Sequence, residues 1–366
     1  MRTSDLGTFL QSALDQLDNP LAYLFAEGQR IHWLYLLVAG LVAVVVYAKT
    51  APGKTSLRSF VRLAFPRSVY LSRSTFIDCG YFLVHRVLFS ILCLPVLALL
   101  APAIAEATGR TLGAGLPALE ATVPSSPLWI GLFTVVAILV ADFAGFLAHY
   151  LLHRFPVLWE FHKVHHSAQA MTPITVYRMH PVDDIGVVLL SGTGLAITLA
   201  VFQFVTIGEV GIVSVGATNI FAVLFNLFGA NLRHTHLWFG YGPRLSQILV
   251  SPAMHQIHHS QKPHQHHSNM GFMFSFWDRL FGTLPIPRER EEIVFGLDQG
   301  EDADYSSVLR LFWLPFAKIF RMKSGLRVLS GGLIGVALLA LSVSSVVLIA
   351  SSDSTPDLVA LEMATE

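Results

Sequence analysis

Six apolar runs limit this chain to a membrane fold, because each is close to the about 20 residues a helix needs to cross a bilayer. They are Ile31–Ala48, Tyr81–Ile104, Leu128–Leu152, Ile185–Val205, Ile207–Gly229 and Val328–Ala350. The fourth and fifth form one long apolar stretch, with Thr206–Gly208 and Glu209 as the turn of a helical hairpin. Charged residues make up 13% of the chain, about half the roughly 25% of soluble domains. The expected fold class is all-α: a polytopic membrane helical bundle of about six spans.

Lysine and arginine orient such a bundle. Lys49–Arg73 carries six, Arg154–Arg178 three and Arg233–Arg327 eleven of the 24 basic residues, whereas Ala105–Pro127 has only Arg110. Six spans place all three basic segments on one side, which should be cytoplasmic, with both termini outside. Net charge is zero, so nothing in the balance points to nucleic acid. The two cysteines, Cys79 and Cys93, would lie about 21 Å apart on one helix and cannot bridge. Residues 1–30 are polar and do not read as a cleavable signal peptide. The polar, acidic tail Ser351–Glu366 is expected to be disordered.

The chemistry lies in three histidine clusters: His149-x-x-x-His153, His162-x-x-His165-His166 and His255-x-x-His258-His259. Residues three and four apart share a helical face, so each cluster should present its imidazoles in one direction. Imidazole binds Fe, Zn, Cu and Ni. Eight imidazoles exceed the four ligands of one zinc site and suit a pair of ions held between helices. Pro156 should end the third span just past His153 and start a helix carrying His162, His165 and His166, with Trp159 at the membrane–water interface. Of the 16 histidines only His32 and His85 fall outside the cytoplasmic segments and span ends. A histidine-rich helical cap at the inner membrane surface is therefore expected to hold a di-metal site.

These motifs, in this order, resemble the sterol desaturase / fatty acid hydroxylase superfamily. Arg178-Met-His180-Pro181, the Asn231–His236 stretch and Trp277-Asp-Arg-Leu-Phe-Gly-Thr283 add to the resemblance, which covers roughly residues 130–290. It implies a non-haem di-iron centre that uses O2 and electrons from a separate redox protein to oxidise a lipid C–H bond. The eight clustered histidines carry over as ligands, and a ninth, His234, is expected from the end of the fifth span. His180 and His236 are expected either as ligands or as partners of ligands. His264, His266 and His267 follow Pro263 at looser spacing and are read as non-ligands, and His85 as a packed, hydrogen-bonded residue.

Nitrogen ligation without cysteine leaves no thiolate site, and redox chemistry requires iron where zinc would be silent. Asp142 lies seven residues before His149 on the same face, inside the membrane. It is the candidate catalytic carboxylate, orienting a ligating imidazole or bonding between helices. Asp183, Asp184 and Asp278 are weaker candidates. The Phe221, Phe225 and Phe228 stripe reads as lipid-facing or core. The small residues of Val328–Ala350 read as packing or oligomerisation.

The organisation expected is N-terminal spans and loops at 1–127, a catalytic region at 128–290, and a C-terminal span and tail at 291–366. Hydroxylation of a fatty acyl chain, a sterol or an aminolipid is favoured. Desaturation at the same site is the alternative, and a metal-ion transporter or a bis-histidine haem carrier is a remote one. A bacterial inner membrane is favoured over the endoplasmic reticulum.

Overall fold

The structure, a computed structural model, describes residues 20–50, 56–215 and 218–322. Single turns aside, the helices run α1 Trp33–Thr50, α2 Leu57–Ala64, α3 Arg73–Gly115, α4 Pro127–Arg154, α5 Pro156–His166, α6 Pro181–Val205, α7 Ile220–Leu227, α8 Pro252–His258, α9 Phe276–Phe281 and α10 Val308–Arg321. The all-α class holds. The only strands among the described residues are two-residue pieces: β1 Val123–Pro124, β2 Thr206–Ile207, β3 Ser214–Val215 and β4 Thr218–Asn219.

Helix starts follow local chemistry. The Ser126 hydroxyl accepts from the Trp129 amide and Pro127 opens α4, since proline lacks the N–H that a first turn leaves unpaired. Pro156 does end α4, as expected. Phe155 before it is extended (φ −103°, ψ 120°), the region that a following proline imposes, and α5 begins at the proline itself.

Helices α3, α4 and α6 are long and apolar enough to cross a membrane, and no other helix among the described residues is. The chain is an integral membrane protein. Helix α3 has 43 residues, about 65 Å, so it projects well past a hydrocarbon layer of about 30 Å. Both cysteines lie on it and are unbridged, as expected. Helix α6 is the middle element, packed on α3 and on α4. Glycines permit the approach: a Cβ on Gly192 would lie 2.7 Å from Leu97, and one on Gly194 2.7 Å from Val140.

The expected fifth span, Ile207–Gly229, is not a spanning helix. Gly208 (φ 98°) and Gly229 (φ 93°) take left-handed backbone that ends helices. Between them β3 and β4 pair antiparallel, and among the described residues of this segment only Ile220–Leu227 is helical. The segment is tied to α4: the Val213 amide donates to the Thr134 hydroxyl (2.9 Å) and the Asn219 amide group to the Thr134 carbonyl (3.0 Å). Of the phenylalanine stripe, Phe225 is core, whereas Phe221 and Phe228 are exposed. Helix α1, the expected first span, packs Ala39 and Ala43 against Leu232 and Leu237. The expected span Val328–Ala350 and the tail lie outside the described residues.

The parallel pairing of β1 with β2 puts the start of α4 and the end of α6 at one end of the bundle. The histidines gather at the other. There Tyr81 of α3, Val164 of α5 and Leu311 of α10 share one buried cluster with Leu297 and Tyr305. Beside it the buried Arg178 guanidinium donates to Asp78 of α3 (2.8 Å), to the Val164 carbonyl (2.9 Å) and to the Ser167 hydroxyl (2.8 Å).

Candidate metal centre

Nine buried histidines converge in two groups. One holds His149, His153, His162, His166 and His258. The other holds His165, His234, His255 and His259. Within each group the candidate ligand nitrogens all lie within 4.8 Å of one another. The nine residues expected from the motifs are thus brought together, but the clusters do not each face one way. In α5, His162 and His166, four apart, serve the first group, and His165 serves the second. In α8 the pattern is reversed, with His255 and His259 in the second group and His258 in the first. Each of these helices lies between the two groups.

Backbone and carboxylate partners set the rings. His149 Nδ1 donates to the Met270 carbonyl (2.9 Å), His258 Nδ1 to the Ser268 carbonyl (2.6 Å) and His162 Nδ1 to the Asp183 carboxylate (3.2 Å). Such partners commonly orient ligating imidazoles. A carbonyl oxygen only accepts, so His149 carries its proton on Nδ1 and its Nε2 is a bare lone pair. The same holds for His162 beside a carboxylate. Yet the two Nε2 atoms lie 3.1 Å apart. Two lone pairs at that distance repel unless a cation sits among them. In the second group Nε2 of His234 lies 3.2 Å from that of His165 and 3.1 Å from that of His255. Both ring nitrogens of His166, and Nδ1 of His153, His165, His255 and His259, have no hydrogen-bond partner. The donor set fits two metal ions of imidazole preference.

Burial keeps these rings neutral, as ligation requires. It pushes His162 down to about 3. Burial, with the neighbouring histidines, holds His165, His166, His255, His258 and His259 well below the usual imidazole range. His234 is likewise depressed by burial, with Arg233 adding repulsion.

The loop that supplies Met270 and Ser268 is held by two acids. Asp278 accepts from the Met270 amide (2.6 Å), the Gly271 amide (3.0 Å) and the Thr283 hydroxyl (2.7 Å). Burial pushes its carboxyl up to about 6. Asp142 accepts from the amides of Met273 (2.7 Å) and Phe274 (3.0 Å) and from the Trp277 indole (3.0 Å). Asp142, expected as the catalytic carboxylate, is thus hydrogen-bonded to no histidine. Two of its donors are loop amides and the third is the Trp277 indole of α9, so it ties α4 to the loop whose Met270 carbonyl meets His149.

Other expected residues stand apart. The His180 ring caps α6, accepting from the Val182 amide (3.2 Å), and its Nε2 faces the Phe312 carbonyl (3.1 Å). His236 donates to the Leu63 carbonyl (2.7 Å). Neither joins a group. Nor do His264, His266 and His267, although the His266 ring lies 5.5 Å from that of His166. Trp159, expected at the interface, packs its ring 4.7 Å from that of His153. His85 is hydrogen-bonded to Asp184 (2.6 Å), as expected. Asp183, ranked low from sequence, is fully buried against His162. The carbonyls of Met270 and Ser268 went unnoticed because a backbone acceptor leaves no mark in a residue pattern. Gln256 also escaped notice. Its amide donates to the Thr235 (2.9 Å) and Leu237 (2.8 Å) carbonyls and so fixes the turn that carries His234.

A cavity of about 320 Å³ opens onto both groups, with His149, His162, His165, His234 and His255 on its surface and mainly apolar walls.

Residues 134–283 match the family described as Fatty acid hydroxylase. The chain is 27% identical over 161 residues to an alkylglycerol monooxygenase of Caenorhabditis elegans, covering 44% of this chain and 28% of that protein. It is 30% identical over 156 residues to the ornithine lipid hydroxylase OlsE of Rhizobium tropici, covering 42% of each. It is 24% identical over 207 residues to the very-long-chain aldehyde decarbonylase GL1-5 of Oryza sativa subsp. indica, covering 54% of this chain and 31% of that protein. The matched region thus spans less than half the length of these relatives, and no solved structure matches the chain. It is the segment carrying the nine histidines that matches this family and resembles lipid hydroxylases and monooxygenases of the sterol desaturase / fatty acid hydroxylase superfamily.

Proposed function

We propose that this protein is an O2-dependent oxidoreductase that hydroxylates an unactivated C–H bond of a membrane lipid at a pair of iron ions. The observation that supports this reading most is the facing of buried histidine lone pairs in two adjoining groups. His149, His153, His162, His166 and His258 would hold one ion, and His165, His234, His255 and His259 the other. Iron bound there would supply the electron transfer and O2 activation that no side chain can.

The chain's own residues do the rest. Met270, Ser268 and Asp183 hold the proton on Nδ1 of His149, His258 and His162, so that Nε2 stays a ligand. The apolar cavity walls exclude water and position an alkyl segment over the histidines. Similarity to the alkylglycerol monooxygenase and the ornithine lipid hydroxylase supports a lipid as substrate. The electrons come from a separate redox protein. We place the protein in a bacterial inner membrane with the histidine cap on the cytoplasmic side, where the basic segments lie. Among the described residues the histidines close into groups at one end of the bundle and form no mid-membrane relay of the kind an ion transporter needs.

The test is a lipid comparison in the native host. It sets a deletion strain against strains restored with the intact gene or with the double variant His165→Ala, His258→Ala. The expected result is one lipid class lighter by the mass of one oxygen atom in the deletion, rescued only by the intact gene. A class richer by two hydrogens in the deletion would assign desaturation instead. Unchanged lipids with altered cellular metal would overturn the oxidoreductase reading.

A further inference from the structure

The cavity that opens onto the histidines holds two cations, Arg30 and Arg233, in its lining. Arg233 is buried, donating from Nε to the Ala230 carbonyl (3.1 Å) and from Nη1 to the Phe272 carbonyl (2.6 Å). A guanidinium has five N–H groups, so donors remain. Arg30 is half-buried, its guanidinium 5.8 Å from the Phe272 ring. Among the described residues neither arginine has a carboxylate within ion-pair distance. The nearby Asp142 is engaged by the loop. Asp184, the one carboxylate among the described lining residues, is paired with His85.

Two neighbouring cations withdrawn from water are costly, and the only carboxylate among the described residues that bears on them, Asp142, does so without an ion-pair contact and is one charge against two. The nine histidines bring no negative charge, so metal ions beneath this cavity would add to the imbalance. The residues described leave that charge for the occupant to meet. The remaining walls are largely apolar, including Phe89, Val187, Val188 and Phe272.

We propose that Arg30 and Arg233 form an anion subsite, and that the lipid taken by this cavity carries a carboxylate or phosphate which they anchor. The planar guanidinium fork suits either oxyanion. The anchor fixes the depth at which the attached chain meets the histidines. This deepens the function proposed above and rests on it for what happens at the cavity floor. The charge preference itself does not depend on turnover.

The test measures binding of three single-chain probes to the full-length protein in neutral phosphatidylcholine discs. They are oleate (carboxylate), oleoyl lysophosphatidate (phosphate) and oleyl alcohol (no charge), and iron content is determined in parallel. At least one anion should bind about 10- to 100-fold more tightly than the alcohol, the range of one charge-assisted hydrogen bond. The anion that does so identifies the source. Arg30→Gln should bring that preference to within about twofold while alcohol binding is unchanged, and Arg30→Lys should retain part of it. Equal affinity for all three probes, or a preference that survives Arg30→Gln, would overturn the subsite. Wild-type protein without iron would instead count against the proposed function and leave the charge preference readable.

Discussion

Asp183 shows how one buried carboxylate can govern a ligand it does not replace. It is fully buried and takes the His162 Nδ1 proton at 3.2 Å. Asp183→Asn keeps the shape and the acceptor but removes the charge that makes the imidazole a better donor of its Nε2 lone pair. Metal affinity should fall about 10- to 100-fold, read as iron retained against a graded chelator, with the melting temperature of the metal-free protein little changed. Unaltered retention would show that the contact is structural only. Eight of the nine histidines were legible in sequence because ligand spacing is a local property of a helix, whereas His234 was expected only through the family resemblance. The weight of Asp183 was not, since it lies 21 residues from His162 and looks like any acid in a first helical turn. Asp142 misled for the complementary reason. Its face was read correctly, but the loop at Met273–Phe274 that claims it lies 131 residues away.

At the scale of elements, Arg178 joins α5 to α3. Its ion pair with Asp78 is almost wholly buried on both sides, and breaking such a pair leaves an uncompensated charge that costs about 3–5 kcal/mol. Arg178→Met should destabilise the fold by about that amount, measured by chemical denaturation in detergent. Adding Asp78→Leu should recover much of the loss, because paired apolar replacements are often neutral. If the double variant is no better than the single one, the pair does not act as a unit. Of the elements, α4 and α6 were readable from apolar length, and the break between α4 and α5 from Pro156. The segment Ile207–Gly229 was not. Hydropathy counts apolar side chains, and this stretch is apolar whether coiled or extended. Left-handed glycines and the Thr134 partner on α4 decide between the two, and only the second is invisible along the chain.

For the whole molecule, the histidine cap makes stability depend on acidity. Seven of the nine histidines lie outside the spanning helices, and burial lowers each of them in the folded state. An unfolded chain takes up those protons near the ordinary value of 6.5, while the folded one does so only far lower, His162 at about 3. Below pH 6.5 the unfolded state therefore binds more protons, and stability falls as pH falls, by up to about 1.4 kcal/mol per pH unit for each such group. Metal-stripped protein should lose melting temperature steeply between pH 7 and about 5, whereas His→Gln changes within the cap should flatten the slope. A flat profile in the unaltered protein would mean that the rings are not held neutral. Whole-molecule assembly was the level least visible in sequence, because which group a histidine joins depends on where two helices sit between the two groups. That wiring has an evolutionary consequence. Since α5 and α8 each supply both groups, losing either helix dismantles both at once. The two groups are therefore inherited together through these helices, and descendants of such a chain are free to diverge mainly in the walls around them.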